Sequence, residues 1–185
     1  MQNDLVVESW GVITGFLASA GLLDRVGPPA SPLDLRTAAE VAGPLPAELA
    51  RWWSLSSGAS LTLIPPAHTP YAVADALALR AALASGSDSS PAGTPWKGSW
   101  LPWWMPIADG GLFADLRPGA ARGCVGRLRA GQVFDGPRWL GVGAMLADMA
   151  DAIRDDVPVD GLRIRATPAG VTWEDEAAHQ VRTGR

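Results

Sequence analysis

The chain has 185 residues, of which 48% are hydrophobic and 18% charged, and its formal net charge is −4. This size and composition predict one folded domain with a sizeable core. The acidic balance disfavours nucleic acid as a partner, the single cysteine excludes an intrachain disulfide framework, and no apolar run has the length of a membrane span.

The first ten residues carry Asp4 and Glu8 and lack a positively charged leader segment. We therefore expect no secretory signal and a cytoplasmic location.

Helical periodicity predicts a first helix from about residue 5 to residue 20, capped by Asp4 and with Trp10 on its apolar face. Ser31, followed by proline, is typical of the cap of a second helix, and Gly43 is typical of its end.

A third helix is predicted to begin with Pro46 at its first position and to end before Gly58. The short apolar run 61–64 indicates a first strand, and a fourth helix is predicted over about 71–83.

The polar segment 85–95 is rich in serine, glycine and proline, which is typical of a mobile loop. We interpret it as a loop within one domain of residues 1–176, and we expect residues 177–185 to be a disordered tail.

The segment 96–118 organises the rest of the predicted fold, because it holds four of the nine tryptophans. Most of these rings must be buried. The pattern predicts a strand at 103–108 with Trp103 in the core, a turn at Gly110–Gly111 and a return strand at 112–116. Trp96 and Trp100, beside the polar loop, are the candidates for exposed anchors of a partner.

The remaining elements follow in order. Strands are predicted at 124–129 and 132–134, and a helix with an apolar stripe at 142–155. A last hairpin pairs 162–166 with 171–174, which carries Trp173.

Acidic residues are concentrated near the end of the chain. Residues 148–176 hold eight acids and three arginines, a net charge of −5, while the remainder has a net charge of +1. A solvated helix face is the commoner explanation for such a run. The alternative is a patch that attracts a basic partner protein, and its candidate residues are Asp148, Asp151, Asp155 and Glu174.

Two aspartates flank the glycine turn. Asp109 and Asp115 could act as an acid–base pair or hold a cation. More often, aspartates at such positions accept hydrogen bonds from backbone amides, and we favour that interpretation. His68, in a proline-rich loop, is predicted to lie on the surface.

Other possible sites are weaker. Cys124 is predicted to be a buried cysteine and not a nucleophile. Glu176-x-x-His179 matches half of a di-iron motif and has no second copy. Gly141 and Gly143 precede a helix without the third glycine of a nucleotide-binding loop. We therefore expect no metal and no cofactor.

The order of motifs along the chain resembles the SUKH superfamily, which includes the fungal Smi/Knr cell-wall assembly regulators and bacterial immunity proteins of polymorphic toxin systems. The residues that carry the resemblance are Trp10, Leu45, Pro46, Gly58, Trp103, Pro106, Asp109, Gly110, Gly111, Asp115, Leu116 and Trp173. It implies an α+β fold, with a mixed, mostly antiparallel sheet of about five to six strands and about four to five helices, and no enzyme activity.

Three functions remain open. The first is an immunity protein that neutralises a cognate bacterial toxin by direct binding, as the resemblance implies. The second is an intracellular regulatory or scaffold protein of the same fold with an endogenous protein partner. The third is a hydrolase-type enzyme, which would require Asp109, Asp115 and His68 to lie within hydrogen-bond reach of one another.

Overall fold

The computed structural model describes residues 2–84, 103–127 and 137–175. Within these ranges the chain is α+β, with five helices and five strands. The helices are α1 (Gln2–Ser19), α2 (Pro32–Ala42), α3 (Ala47–Leu55), α4 (Val73–Ala84) and α5 (Val142–Arg154). The strands are β1 (Trp104–Ala108), β2 (Leu112–Asp115), β3 (Val125–Arg127), β4 (Leu162–Thr167) and β5 (Gly170–Asp175).

The described strands form two antiparallel sheets, one with the order β1-β2-β3 and one that is the β4–β5 hairpin. The α+β class and the helix number agree with the prediction. The expectation of one mixed sheet is wrong for the described strands, because all their ladders are antiparallel and β4–β5 pairs with neither edge of the larger sheet.

The β1–β2 hairpin has the predicted position and turn. Met105 pairs with Ala114, and Gly110 and Gly111 have φ values of 63° and 82°, which glycine adopts at little cost. Every residue of both strands is buried, so the hairpin has a covered layer on each face. It therefore lies at the centre of the fold.

The two faces of the hairpin have different neighbours. Met105 and Ala114 belong to the main hydrophobic core, which the helices complete. On the opposite face the rings of Trp104 and Phe113 stack with centroids 4.6 Å apart.

The helices on the core side pack as the periodicity predicts. α1 lies along α5, and the main apolar positions of both helices are fully buried, namely Val6, Ile13 and Leu17 of α1 and Val142, Met145, Leu146 and Met149 of α5. Trp10 meets Trp52 of α3 edge to face, with centroids 6.1 Å apart. The first helical residue is Gln2, so the prediction that Asp4 caps α1 is wrong.

Side-chain hydrogen bonds set the start of α2 and of α4, but not that of α3. Ser31 and Asp34 form a reciprocal capping box at α2. Pro46 is the N-cap of α3 and not its first helical residue as predicted. The Val73 amide donates to Ser57 Oγ at 3.0 Å, which explains why α4 begins two residues later than predicted.

The predicted strand at 61–64 is wrong. Its apolar side chains are buried, but the Leu63 amide donates to the Leu61 carbonyl in a local turn and is not available for a ladder. Ile64 instead exchanges two backbone hydrogen bonds with His68 across the proline pair.

Two further predictions concern residue environments. Trp103 was expected in the core, yet it is 40% exposed, whereas Trp104 is 6% exposed. The strand begins one residue later than predicted, so Trp104 and not Trp103 meets the ring of Phe113. His68 was expected on the surface and is only 4% exposed, because the 64–70 loop folds it against the glycine turn.

Candidate functional site

Two of the four acids predicted to bind a partner lie on one exposed face of α5, and a third is its C-cap. Asp148 and Asp151 are three residues apart and project from the same side of the helix, and Asp155 follows at its C-terminal end. The opposite side is the apolar stripe that packs on α1. The burial of this stripe fixes the direction in which the acids point.

Exposed apolar residues lie beyond both ends of α5. Leu140, two residues before α5, is 81% exposed, and Val157, shortly after it, is 49% exposed. We call Leu140, Asp148, Asp151, Asp155 and Val157 the α5 surface. Exposed leucine is unfavourable in water, so Leu140 is the strongest apolar contact point on this surface.

Two acids of this region have internal partners. Asp148 Oδ2 accepts a hydrogen bond from Trp139 Nε1 at 2.8 Å, and Asp151 pairs with Arg154 at 2.9 Å. Within the described residues, Asp155 makes no ion pair. Trp139 is neutral and Arg154 already belongs to the sequence count, so these contacts orient the carboxylates without changing the net charge of −5.

The next two acids are likewise paired. Asp156 bonds Arg165 and Arg163, and these hydrogen bonds, that of Arg165 first, lower the pKa of its carboxyl. Asp160 pairs with Arg138, which lies outside the acidic region of the sequence. Long-range attraction of a basic partner is weakened accordingly.

A carboxylate from another helix holds the N-terminus of α5. Glu48 of α3 accepts a hydrogen bond from the Gly143 amide at 2.9 Å. A Cβ at position 141 would lie 2.3 Å from Glu48 Oε2. The two glycines thus make room for the Glu48 carboxylate, which satisfies an unpaired helix amide and complements the helix dipole.

The segment before α5 is also anchored. Arg138 donates to the Pro65 carbonyl at 2.9 Å, and its guanidinium lies 4.1 Å from the centre of the Trp139 ring. Trp139 is buried, and the Leu140 carbonyl accepts from Cys124 Sγ at 3.5 Å. Leu140 is thus an exposed side chain on a fixed backbone.

A second cluster lies at the glycine turn. His68 Nδ1 lies 3.3 Å from Asp109 Oδ1, which also accepts the Thr69 amide at 2.8 Å. His68 Nε2 is buried, and it has no hydrogen-bond partner among the residues that the structure describes. Burial foremost, and then the positive charge of Arg127, lowers the pKa of His68, although Asp109 opposes this.

Asp115 is not part of that cluster. It lies at the other end of the hairpin, opposite Trp104, where its carboxylate accepts from the Arg117 amide at 2.8 Å and from Arg117 Nε at 2.9 Å. Both aspartates therefore accept backbone amides, as predicted. The three residues required by the enzyme hypothesis do not come together.

Cys124 is buried beside Asp115, as predicted. Desolvation first, and then the negative charge of Asp115, raises the pKa of its thiol. Such a thiol is a poor nucleophile.

Of the other predicted site residues, Glu174 lies on β5 and not on α5. It is half-buried and stands opposite Arg163 in the β4–β5 ladder. Trp96, Trp100, the loop 85–95, the strand 132–134, Glu176, His179 and the tail 177–185 lie outside the described residues.

Sequence reasoning missed Leu140, Glu48 and Arg138. Gly141 and Gly143 were compared with a nucleotide-binding loop and did not match it. In the structure they make room for the side chain of Glu48. The sequence does not predict that Leu140 is exposed. Its exposure depends on the tertiary contacts that bury the neighbouring Trp139.

In the described ranges, no group of three or more His, Cys, Asp or Glu side chains is placed to hold a metal ion. The helices of those ranges include none that is long and apolar enough to cross a membrane. Comparison of the chain with protein-family models and with curated proteins gives no match.

Proposed function

We propose that this chain is a non-enzymatic binding protein of the SUKH type, and that it acts as an immunity protein by covering a cognate bacterial toxin. The α5 surface is the observation that carries the proposal. It contains an 81% exposed leucine two residues before α5 and the aspartates that follow along that helix, whose other face is packed in the core. An apolar contact within a polar surround is the usual composition of a protein interface.

The dimensions suit a helix-sized contact. The 13 residues of α5 span roughly 20 Å at 1.5 Å per residue. A stable interface buries about 800 Å² on each partner. The α5 surface therefore supplies the centre of an interface, and neighbouring residues complete it.

Two internal contacts hold this surface in place for binding. Glu48 fixes the start of α5, and Arg138 fixes the segment that carries Leu140. A surface held in place before binding loses little conformational entropy when the complex forms.

The resemblance supports the proposed biological role. It implies an inhibitor that binds one cognate bacterial toxin and has no enzyme activity. An endogenous partner of a regulatory protein would use the same α5 surface, and the two roles differ in what the partner is.

Growth rescue tests the role directly. The chain is co-expressed with each toxin encoded beside its gene, and we expect it to restore growth to cells that the toxin alone kills. Leu140→Glu places a charge at the apolar contact, so we expect it to abolish rescue. Val41→Glu on α2 is the matched control, because Val41 is also exposed, at 58%.

The opposing outcomes are equally clear. Absence of rescue by the folded wild-type chain rejects the immunity role. Equal loss of rescue by the two glutamate variants rejects the α5 surface as the site.

A further inference from the structure

The loop between Ile64 and Pro70 is held on the β1–β2 turn by a compact set of contacts. The Asp109 amide donates to the Thr69 carbonyl at 3.1 Å, and the Tyr71 amide donates to the Ile107 carbonyl at 2.9 Å. The Asp109 carboxylate in turn accepts a hydrogen bond from the Thr69 amide. The loop thus extends the edge of β1 by a bridge at Pro70 and Ala108.

His68 is the only side chain of this loop that is both titratable and buried. Asp109 offers it an acceptor, so the single proton of a neutral imidazole lies on Nδ1. Nε2 is then an acceptor in a buried position, without a partner in the described ranges of the chain. The neutral ring tolerates this arrangement, because an unprotonated nitrogen carries no buried N–H.

A protonated ring does not fit the same place. Its second N–H would be buried without an acceptor, which is costly for a charged donor. A Cβ at position 110 would lie 2.3 Å from His68 Cε1, so the ring is packed directly on the glycine backbone and has little room to turn. The ring must leave its position to be solvated.

The charged groups around His68 come from each element packed against it. Asp109 on the turn favours the imidazolium, whereas Arg127 on β3 and Arg138 before α5 oppose it. Arg127 Nε donates to the Gly110 carbonyl at 3.3 Å, and Arg138 is bound to Asp160. The phenol of Tyr71 stays neutral in the acidic range, since burial first, and then Asp109 and Asp75, raises its pKa.

We propose that His68, Thr69 and Asp109 form a pH-sensitive latch that holds the 64–70 loop on the hairpin while His68 is neutral and releases it when His68 is protonated. The latch is independent of the proposed toxin binding. It makes the loop the part of the described fold that responds first to acidification below neutral pH.

The sign follows from the direction of the His68 pKa. The folded pKa lies below the usual value of about 6.5. Between the usual pKa and the lower folded pKa, the open state therefore binds more protons than the closed state. The closed state loses stability as the pH falls through this interval.

Amide hydrogen exchange on the full chain, with a parallel NMR titration of the His68 ring, tests the latch between pH 7.5 and pH 5. We expect protection factors at Thr69, Asp109 and Tyr71 to fall at least tenfold, with a midpoint that follows His68. Protection of the Met145 amide, inside α5, is expected to persist and serves as the reference.

Two charge variants change the size of this pH-dependent loss in opposite directions. Arg127→Gln removes a charge that lowers the pKa of His68 in the closed state, so the closed-state and open-state pKa values come closer together and protection falls less than in the wild type. Asp109→Asn keeps an acceptor for Thr69 but removes a charge that raises the closed-state pKa, so the two pKa values move apart and protection falls more than in the wild type. His68→Gln does not titrate and is expected to show constant protection.

Constant protection in the wild type while His68 protonates would overturn the latch. So would arginine and aspartate variants that change the size of the loss in the same direction, or a loss of protection in His68→Gln with the wild-type pH dependence. The charge variants keep the test decisive if His68→Gln does not fold.

Discussion

Trp103 and Trp104 are neighbours in the chain, yet one is 40% exposed and the other 6% exposed. Trp104 stacks on Phe113 within the covered face of the sheet. The composition of the segment required most tryptophans to be buried, but alternation along a strand cannot identify which one when every strand residue is buried. Only the observed start of β1 separates the two.

Alanine substitution distinguishes these two residues. Trp104→Ala removes a buried ring and its stacking contact with Phe113, so we expect a loss of roughly 3–5 kcal/mol in the free energy of unfolding. Trp103→Ala is expected to cost about 1 kcal/mol, because much of that ring remains in water. Urea denaturation measures both, and the reverse order of effects would contradict the position assigned to β1.

At the scale of elements, most helices and the two hairpins could be predicted, because each has a local signal. The α5 stripe at 142, 145, 146 and 149 is buried as expected, and Gly110–Gly111 forms the expected turn. The segment 61–64 could not be predicted, since its local turn at Leu61 and Leu63 and its bridge to His68 depend on contacts outside its own sequence. Burial and strand pairing are separate properties, and an apolar run indicates only the first.

The start of α5 shows a dependence between two elements. Glu48 caps the helix only because position 141 has no Cβ. Glu48→Ala is expected to cost about 1 kcal/mol by loss of the cap. Gly141→Ala is expected to cost a similar amount, because the new methyl displaces the flexible carboxylate.

The double variant then tests the coupling. Once Glu48→Ala has removed the cap, the methyl at 141 has nothing to displace, so Gly141→Ala should add little to its cost. Thermal or urea unfolding of the four proteins gives the comparison. Additive losses would show that Gly141 is needed for another reason.

At the scale of the whole molecule, the fold class could be predicted and the candidate site only in part. The acids of α5 were identified from the concentration of charge. Their partners were not, because Trp139 reaches Asp148, and Arg138 reaches the nearby Asp160, from a separate segment of the chain. Leu140 became a candidate only when the burial of Trp139 was known. A binding surface is assembled from several segments, so its full composition depends on tertiary structure.

The central claim is that the α5 surface contacts the partner, and the affinity for the toxin identified by growth rescue tests it most directly. Isothermal titration compares the wild type with Asp155→Arg, at the C-cap of α5, and with Asp75→Arg, which replaces an exposed aspartate of α4, as the control. We predict that Asp155→Arg weakens binding at least tenfold and that Asp75→Arg changes it less than twofold. Equal affinities of the two arginine variants for the toxin would contradict the account.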